Sequence, residues 1–218
     1  QIINNSLAHL PIKKLMSYQL NDGWTTVNFV RPIKNILAVY GDKLVDLECM
    51  GLKSVMHTYG HRFESKHDVL AIHDASLYEK VLLTEGRVMA SFSKRKEKIK
   101  TDLNEAVKKI NNKFRAITDD KLLEEVTSLV EMPNILIGEF ENQYLEVPQE
   151  CLILTMQSNQ KYFPILNDKD ELTNYFVIVS NINPKNSTNI IEGNEKVIRP
   201  RLADAEFFYK KDMAYTLK

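Results

Sequence analysis

Glycine is scarce in this sequence, and no glycine-rich loop is present. The chain has 7 glycines in 218 residues. None of them belongs to the closely spaced pattern that cradles phosphate groups in nucleotide-binding enzymes. The order of the serine, histidine and aspartate residues does not indicate a hydrolytic triad either. We therefore predict that this chain alone is not catalytic, and we assign it no catalytic residue.

Cysteine, net charge and long apolar runs are lacking as well. The 2 cysteines are too few for a disulfide framework, which favours a reducing compartment. Because 29 basic and 29 acidic residues give a formal net charge of zero, only local clusters of charge can attract nucleic acid. No apolar run approaches the roughly 20 residues of a membrane span, and the first residues lack the features of a signal peptide. We expect a cytoplasmic protein without membrane contact.

The residues that are present predict a globular α+β fold. The sequence is 44% hydrophobic and 27% charged, which is typical of globular domains. Residues 24–50 hold short apolar runs typical of strands in mixed or antiparallel sheets, with a turn at Gly41-Asp42. From Ser76 to Phe114 the apolar residues recur at helical spacing, which predicts one long helix. The apolar stripe of that helix consists of Val88, Phe92, Ile99, Leu103, Val107, Ile110 and Phe114.

The second half of the chain is predicted to hold a helix, a hairpin and a helical C-terminal segment. "NILIGEF" at 134–140 predicts a strand, and Pro148 suits the first turn of a short helix. "KYFPIL" and "LTNYFVIVSN" flank a polar turn and predict a β-hairpin over residues 161–181. The residues after it have a helical pattern that Pro200 would kink. A further helix, capped by Thr118 or Asp119, has the inner residues Leu122, Leu123, Val126, Leu129 and Val130.

The pattern is weakest near residues 115–119, which divides the chain into two parts. Residues 1–115 would hold the strands and the long helix. Residues 116–218 would hold the shorter helix, the hairpin and the C-terminal helical segment. We expect the two parts to pack together closely as one module.

Two clusters of basic residues are candidates for contact with nucleic acid. The run "SKRKEKIK" occupies residues 93–100, and "GNEKVIRPRLADAEFFYKKD" occupies residues 193–212. Local groups of lysine and arginine suit the phosphates of nucleic acid, although such a run is also typical of the solvated face of a helix. The candidate RNA-binding residues are Lys94, Arg95, Lys96, Lys98, Lys161, Lys196, Arg199 and Arg201.

The segment 193–212 also has a structural interpretation. A proline inside a helix frees a carbonyl group four residues earlier, and Asn194 could satisfy it. Arg199 and Arg201 could form charge-assisted pairs with nearby carboxylates that fix the bend and join the segment to the hairpin. The predicted polar network around these arginines consists of Asn194, Glu195, Asp204 and Glu206.

The functional interpretation of the same segment is that one arginine faces outward. The guanidinium group suits two oxygens of an RNA phosphate. The aromatic pairs Tyr162-Phe163 and Phe207-Phe208 are expected to lie mostly in the core, with one ring of each available for stacking on a base. The two interpretations remain alternatives at this stage.

Four of the five histidines lie between residues 57 and 73. Their spacing, with His-Asp pairs at His67-Asp68 and His73-Asp74, is compatible with the metal ligands of a phosphohydrolase. Gly60 and its neighbours favour a loop, however, and no remote His or Asp pair completes a ligand set. We therefore predict no metal site and keep a metal-dependent phosphohydrolase that uses the His57–His73 cluster as the alternative function.

Seven segments, in collinear order, resemble one family: the beta subunit of the bacterial two-subunit glycyl-tRNA synthetase. The most specific are "TM-x-x-x-QKYFP" and "GNEKVxRPRLADAEFF", and the chain departs from the family pattern at Gln157 and Asn159. The resemblance implies an N-terminal-to-middle piece of a longer subunit. The segments are "FVRPI" at 29–33, "GHRF" at 60–63, "GRVMASFSKRKEKI" at 86–99, "LLEEVTSLVEMP" at 122–133, "LEVPQECLILTMQSNQKYFPIL" at 145–166, "VSNINPK" at 179–185 and "GNEKVIRPRLADAEFFYKKD" at 193–212.

The resemblance implies that this chain has a role in translation but does not itself catalyse a reaction. In that family the alpha subunit activates glycine with ATP and magnesium, and the beta subunit supports recognition of tRNA(Gly). The expected partners are therefore the alpha subunit, in an alpha2beta2 heterotetramer, and tRNA(Gly), with no cofactor in this chain. The implied fold is similar to the B3/B4 module of the phenylalanyl-tRNA synthetase beta subunit. A pure scaffold for the alpha subunit is a further alternative.

Overall fold

The computed structural model describes residues 2–215, and the chain divides into two compact units after Val88. Helices and several small sheets give a mixed α+β fold. The division lies upstream of the one predicted near residue 115, because the long helix packs against elements of the second half. None of the helices in the described part of the chain has the length and apolar character needed to cross a membrane.

The first unit is built from short strands. A β4–β5 hairpin turns at Gly41, as predicted, and this glycine has a φ of +57°. β7 pairs parallel with β3 and antiparallel with β6, so both kinds of pairing occur. The elements are α1 (Ile2–Ala8), β1 (Met16–Gln19), β2 (Thr26–Phe29), β3 (Ile36–Leu37), β4 (Val39–Tyr40), β5 (Lys43–Leu44), β6 (Glu48–Cys49), β7 (Leu52–Val55), β8 (His57–Thr58), β9 (Leu70–Ala71), a 3-10 turn (Ala75–Leu77) and α2 (Tyr78–Thr84).

The second unit places helices on both faces of an antiparallel sheet. The four strands run in the order β10-β12-β13-β11, and the predicted hairpin is its centre. A 3-10 turn (Asn142–Glu146) and a π-helical turn (Met156–Gln160) flank α5. The other elements are α3 (Phe92–Ile110), β10 (Arg115–Ala116), α4 (Asp120–Leu129), β11 (Asn134–Glu139), α5 (Gln149–Thr155), β12 (Phe163–Leu166), β13 (Leu172–Ser180) and α6 (Thr188–Met213).

The alternation of side chains along the strands creates two apolar clusters in this unit. Val177 packs with residues of α3 and α4 on one face of the sheet. Phe176 and Ile178, its neighbours along β13, pack with residues of α5 and α6 on the other face. Successive side chains of a strand point to opposite faces, so a continuous apolar run suits a strand that is covered on both sides.

The prediction of one helix from Ser76 to Phe114 is wrong. The chain forms α2 and α3 instead, because the connection at residues 85–91 cannot be helical. Gly86 packs against Gly60 so closely that a Cβ atom on Gly60 would lie 2.6 Å from the Cα of Gly86. Arg87 has a φ of 54°, which a right-handed helix excludes. Ser91 then caps α3, and Val88 lies outside any helix.

Most other expected elements are confirmed, but two residues predicted on apolar faces are exposed. Phe92 of the predicted α3 stripe is 42% exposed, and Leu129 of α4 is the second. Asp119 caps α4 by accepting a hydrogen bond from the backbone N–H of Lys121. Leu122, Leu123 and Val126 are buried as predicted. Leu129 was expected on the same inner face but is 57% exposed. The helix α6 continues through Pro200, which is its only internal proline.

Candidate nucleic-acid interface

The helix α6 has an inner face that fixes its orientation and an outer face that carries charge. Ile198 and Leu202 are completely buried against the sheet and α5. The hydroxyl group of Tyr162 donates a hydrogen bond of 2.6 Å to Oδ1 of Asn194. Asn194 in turn donates to the carbonyl oxygen of Ile190 at 2.7 Å. The hydrogen bonds of Asn194 therefore join α6 to the hairpin, whereas the prediction has this side chain serve the carbonyl freed by Pro200.

Arg199 is held by two carboxylates: Glu195, which belongs to the predicted network, and Glu141, which the sequence pattern does not indicate. Its Nε lies 2.7 Å from Oε1 of Glu141, and its Nη2 lies 3.6 Å from Oε2 of Glu195, one helical turn earlier. Glu195 also accepts a hydrogen bond from the backbone N–H of Glu139 at the end of β11. Glu195 and Glu141 therefore make Arg199 a link between α6 and the residues at and just after the end of β11.

The predicted pairing of the arginines with Asp204 and Glu206 is wrong. Glu206 instead pairs with Lys210 at 2.5 Å, one turn later on the same helix. This ion pair raises the pKa of Lys210, first through the hydrogen bond and then through the charge of Glu206. Asp204 is exposed, and in residues 2–215 it has no ion-pair partner. Asp204 and Glu206 lie five and seven positions after Arg199, so they are not its neighbours on the helix, whereas Glu195 at position i−4 is. Asp204 lies three positions after Arg201, a spacing that allows contact, but these two side chains form no ion pair within residues 2–215.

Arg95, predicted to contact RNA, faces inward. Its Nε donates to the carbonyl oxygen of Thr127 at 3.0 Å, and its Nη1 donates to the carbonyl oxygens of Met89 and Ala90. Partial burial lowers the pKa of Arg95, and the charge of Glu131 opposes that change. The guanidinium group thus satisfies carbonyl groups near the C-terminal end of α4 and in the connection before α3.

Three of the lysines that are predicted to contact RNA form ion pairs with carboxylates. Lys96 lies 2.9 Å from Glu124 and 3.7 Å from Asp120, and its pKa is raised chiefly by the hydrogen bond with Glu124. Lys98 lies 2.5 Å from Asp102 on the same helix. Lys161 lies 2.9 Å from Glu125 of α4. These pairs lower the local positive charge of the 93–100 run and the hairpin.

Lys196 and Arg201 differ from the other predicted cations. Both are exposed on α6, and neither has a carboxylate partner within residues 2–215. Lys94 is exposed near the start of α3. Exposed apolar residues lie on the same helix, with Val197 49% exposed. The outer face of α6 therefore combines unpaired positive charge with apolar surface.

The aromatic pairs do not behave alike. Tyr162 and Phe163 are both buried, at 4% and 0% exposure, so neither ring is available to a base. Phe207 and Phe208 are both exposed, at 61% and 60%. Their ring centroids lie 5.6 Å apart in an edge-to-face arrangement. The prediction of one exposed ring in each pair is therefore wrong in both cases.

The histidines do not form a set of metal ligands. In the part of the chain that the structure describes, no three His, Cys, Asp or Glu side chains come together around a possible metal position. His61 is buried, and its Nδ1 accepts hydrogen bonds of 3.2 Å from the backbone N–H groups of Phe63 and Glu64. His67 lies beside Glu85, at 3.8 Å. The phosphohydrolase alternative therefore gains no support.

Comparisons with known proteins agree over the whole chain. The family model described as "Glycyl-tRNA synthetase beta subunit" matches residues 1–218. The "Glycine--tRNA ligase beta subunit" of Janthinobacterium sp. (strain Marseille) is 51% identical over 215 residues, which is 99% of this chain and 31% of the relative. The protein of the same name from Acidovorax ebreus (strain TPSY) is 49% identical, over 99% of this chain and 30% of the relative. The chain thus spans about a third of the length of the curated relatives that it matches.

Proposed function

Since the chain belongs to the family of glycyl-tRNA synthetase beta subunits, we propose that it is part of the beta subunit of a two-subunit glycine–tRNA ligase. The match over residues 1–218 carries this proposal. The whole enzyme attaches glycine to tRNA(Gly) in the cytoplasm, and its alpha subunit uses ATP and magnesium for that reaction. This chain supports tRNA recognition and assembly with the alpha subunit in an alpha2beta2 heterotetramer.

The tRNA contact of this chain lies on the outer face of α6. Lys196 and Arg201 are exposed, and no carboxylate in residues 2–215 neutralises them. A cation without an internal partner can bind a phosphate without first breaking an ion pair. Arg95, by contrast, would have to abandon the carbonyl groups that it binds. Each phosphate contact also releases counterions, so such binding weakens as salt rises.

The second unit is a compact α+β module. Its antiparallel sheet is covered by α3 and α4 on one face and by α5 and α6 on the other. We propose that this arrangement is similar to the B3/B4 module of the phenylalanyl-tRNA synthetase beta subunit. Superposition of the second unit on an experimental structure of that module tests the proposal, and a different strand order would contradict it.

A binding titration with tRNA(Gly) tests the α6 contact. In the variant Lys196→Ala/Arg201→Ala we expect weaker binding and a log–log salt slope reduced by roughly 0.7 to 0.9 for each lost phosphate contact. Lys98→Ala is the matched control, because Lys98 is paired with Asp102, and it should bind as the parent does. If the double variant keeps the affinity and salt slope of the parent, the scaffold hypothesis replaces direct RNA contact.

The division of chemistry between the subunits has its own test. The isolated chain should show no ATP–pyrophosphate exchange in the presence of glycine, whereas the full beta subunit mixed with the alpha subunit should charge tRNA(Gly). The Lys196→Ala/Arg201→Ala change in the full beta subunit should raise KM for tRNA and leave ATP–pyrophosphate exchange unchanged. Exchange activity in the isolated chain would contradict the proposed division.

A further inference from the structure

A loop of the first unit exposes two aromatic rings, and a cation lies over each ring. Phe63 is 74% exposed, and the guanidinium carbon of Arg62 lies 5.5 Å from the centroid of its ring. Tyr59 is 44% exposed, and Nζ of Lys34 lies 6.0 Å from its ring centroid. In residues 2–215, neither Lys34 nor Arg62 has a carboxylate partner. We call these four residues the stacking platform.

The backbone beneath the platform is fixed by a buried histidine. His61 is only 2% exposed, and its backbone N–H donates to the carbonyl oxygen of Gly86 at 2.7 Å. Its Nδ1 accepts from the N–H groups of Phe63 and Glu64, and its carbonyl oxygen accepts from the N–H of Ser65 at 3.0 Å. Phe63 is therefore presented to solvent by an anchored loop. A preorganised surface loses less entropy when it binds a partner.

We propose that the stacking platform binds unpaired nucleotides of RNA. Bases stack on exposed aromatic rings, and neighbouring cations bind the phosphates that connect those bases. A base in a duplex has both faces covered by its neighbours, so the platform selects single-stranded nucleotides. The chain from Tyr59 to Phe63 spans at most about 14 Å, which limits the contact to a short stretch of RNA.

The cations are what distinguish this surface from a protein-docking patch. The cores of protein interfaces are enriched in aromatic residues but depleted of charged residues, apart from arginine. Here both rings carry a cation that no carboxylate of the described residues neutralises. A negatively charged partner is therefore favoured, and RNA supplies negative charge and flat rings together. The inference rests on the proposed tRNA role, but it concerns a loop of the first unit and not α6.

The test uses this chain and a short single-stranded RNA that carries 2-aminopurine, whose fluorescence falls when it stacks. Phe63→Leu keeps apolar volume and removes the aromatic face, so we expect roughly tenfold weaker binding and little quenching. Tyr40→Leu is the matched control, because Tyr40 is 82% exposed and none of the described cations lies over its ring. A melting curve of each variant establishes that the fold is unchanged.

The outcomes separate this inference from the α6 contact. Loss of oligonucleotide binding in Phe63→Leu, together with unchanged tRNA binding in Lys196→Ala/Arg201→Ala, supports the platform and overturns the α6 interface. Normal quenching in Phe63→Leu overturns the platform, whatever the α6 variant does. A Phe63→Leu variant that binds RNA normally and the alpha subunit poorly shows a protein interface and also overturns the platform. If the parent binds neither the short single-stranded RNA nor tRNA(Gly), both proposals fail.

Discussion

Leu103 and Leu129 are both leucines, but the first is buried and the second is exposed to solvent. Leu103 of α3 is completely buried in the cluster between α3, α4 and the sheet, whereas Leu129 at the end of α4 is 57% exposed. We expect Leu103→Ala to lower the free energy of unfolding by about 2–5 kcal/mol, because it removes buried methyl groups and leaves a cavity. Leu129→Ala, the matched control, should change it by less than about 0.5 kcal/mol. Urea unfolding of both variants measures the difference, and equal losses would contradict the assigned faces.

The ionisation of Tyr162 should make the stability of the protein depend on pH. Burial raises the pKa of Tyr162 to about 12 from an ordinary value of 10.0, because the interior penalises the phenolate form. Between these two pH values the folded state holds a proton that the unfolded chain releases. Stability should therefore fall as pH rises through this window, by up to about 1.4 kcal/mol per pH unit, and below pH 10 this group should have no effect.

The variant Tyr162→Phe isolates that contribution. At pH 8 it should differ from the parent only through the lost hydrogen bond to Asn194, which is worth about 0.5–1.5 kcal/mol. Between pH 10 and 12 its stability should fall less steeply than that of the parent. Chemical unfolding at a series of pH values measures both effects. Parallel stability curves for the two proteins over the whole range would show that Tyr162 ionises in the folded state as it does in the unfolded chain.

At the scale of elements, two glycines have opposite roles. Gly193 lies inside α6 with open space around it, so Gly193→Ala should stabilise the protein by up to about 1 kcal/mol through helix propensity. A Cβ atom on Gly60 would lie 2.6 Å from backbone atoms of Gly86. Gly60→Ala should therefore destabilise the first unit by roughly 1–3 kcal/mol. Urea unfolding measures both variants, and a neutral Gly60→Ala would mean that the two loops move apart easily.

The elements that the sequence predicts correctly are those whose signals are local. Asp119 at the start of α4 and the apolar strands on either side of the 167–171 turn need no information from distant residues. The break between α2 and α3 could not be predicted in this way. It depends on Gly86 meeting Gly60, which is distant in sequence, and the helical spacing of the apolar residues simply continues across it.

The same limit applies to the candidate interface. The sequence identifies clusters of cations, but it does not show which of them are already neutralised. Arg95 binds the carbonyl oxygen of Thr127, and Lys161 pairs with Glu125. Arg199 pairs with Glu141, which follows the end of β11. Each partner is brought near by tertiary packing. Only the structure therefore distinguishes Lys196 and Arg201, which have no carboxylate partner in residues 2–215, from the cations that are already paired.

At the scale of the whole molecule, the two units have unequal cores. All members of the two buried apolar clusters lie between residues 99 and 202, within the second unit. The first unit buries fewer apolar residues, among them Val27, Leu70 and Ile72. It also contains an apolar cavity of about 600 Å³ beside α1 and β2. Because apolar burial is the main favourable term in folding, the second unit should be the more stable one.

A fragment of residues 89–218 should therefore fold by itself. It keeps both faces of the sheet covered, since α3, α4, α5 and α6 all lie within it. We expect a helical circular dichroism spectrum and a single cooperative urea transition. The control fragment, residues 116–218, begins at the division that the sequence pattern suggests. It lacks α3, which together with α4 covers the face of the sheet that contains Phe163, Ile165 and Val177. Part of that apolar face is then exposed, and the fragment should unfold without cooperativity or aggregate. A fragment 116–218 that is as stable as 89–218 would show that α3 is dispensable, and a disordered 89–218 would show that the second unit depends on the first.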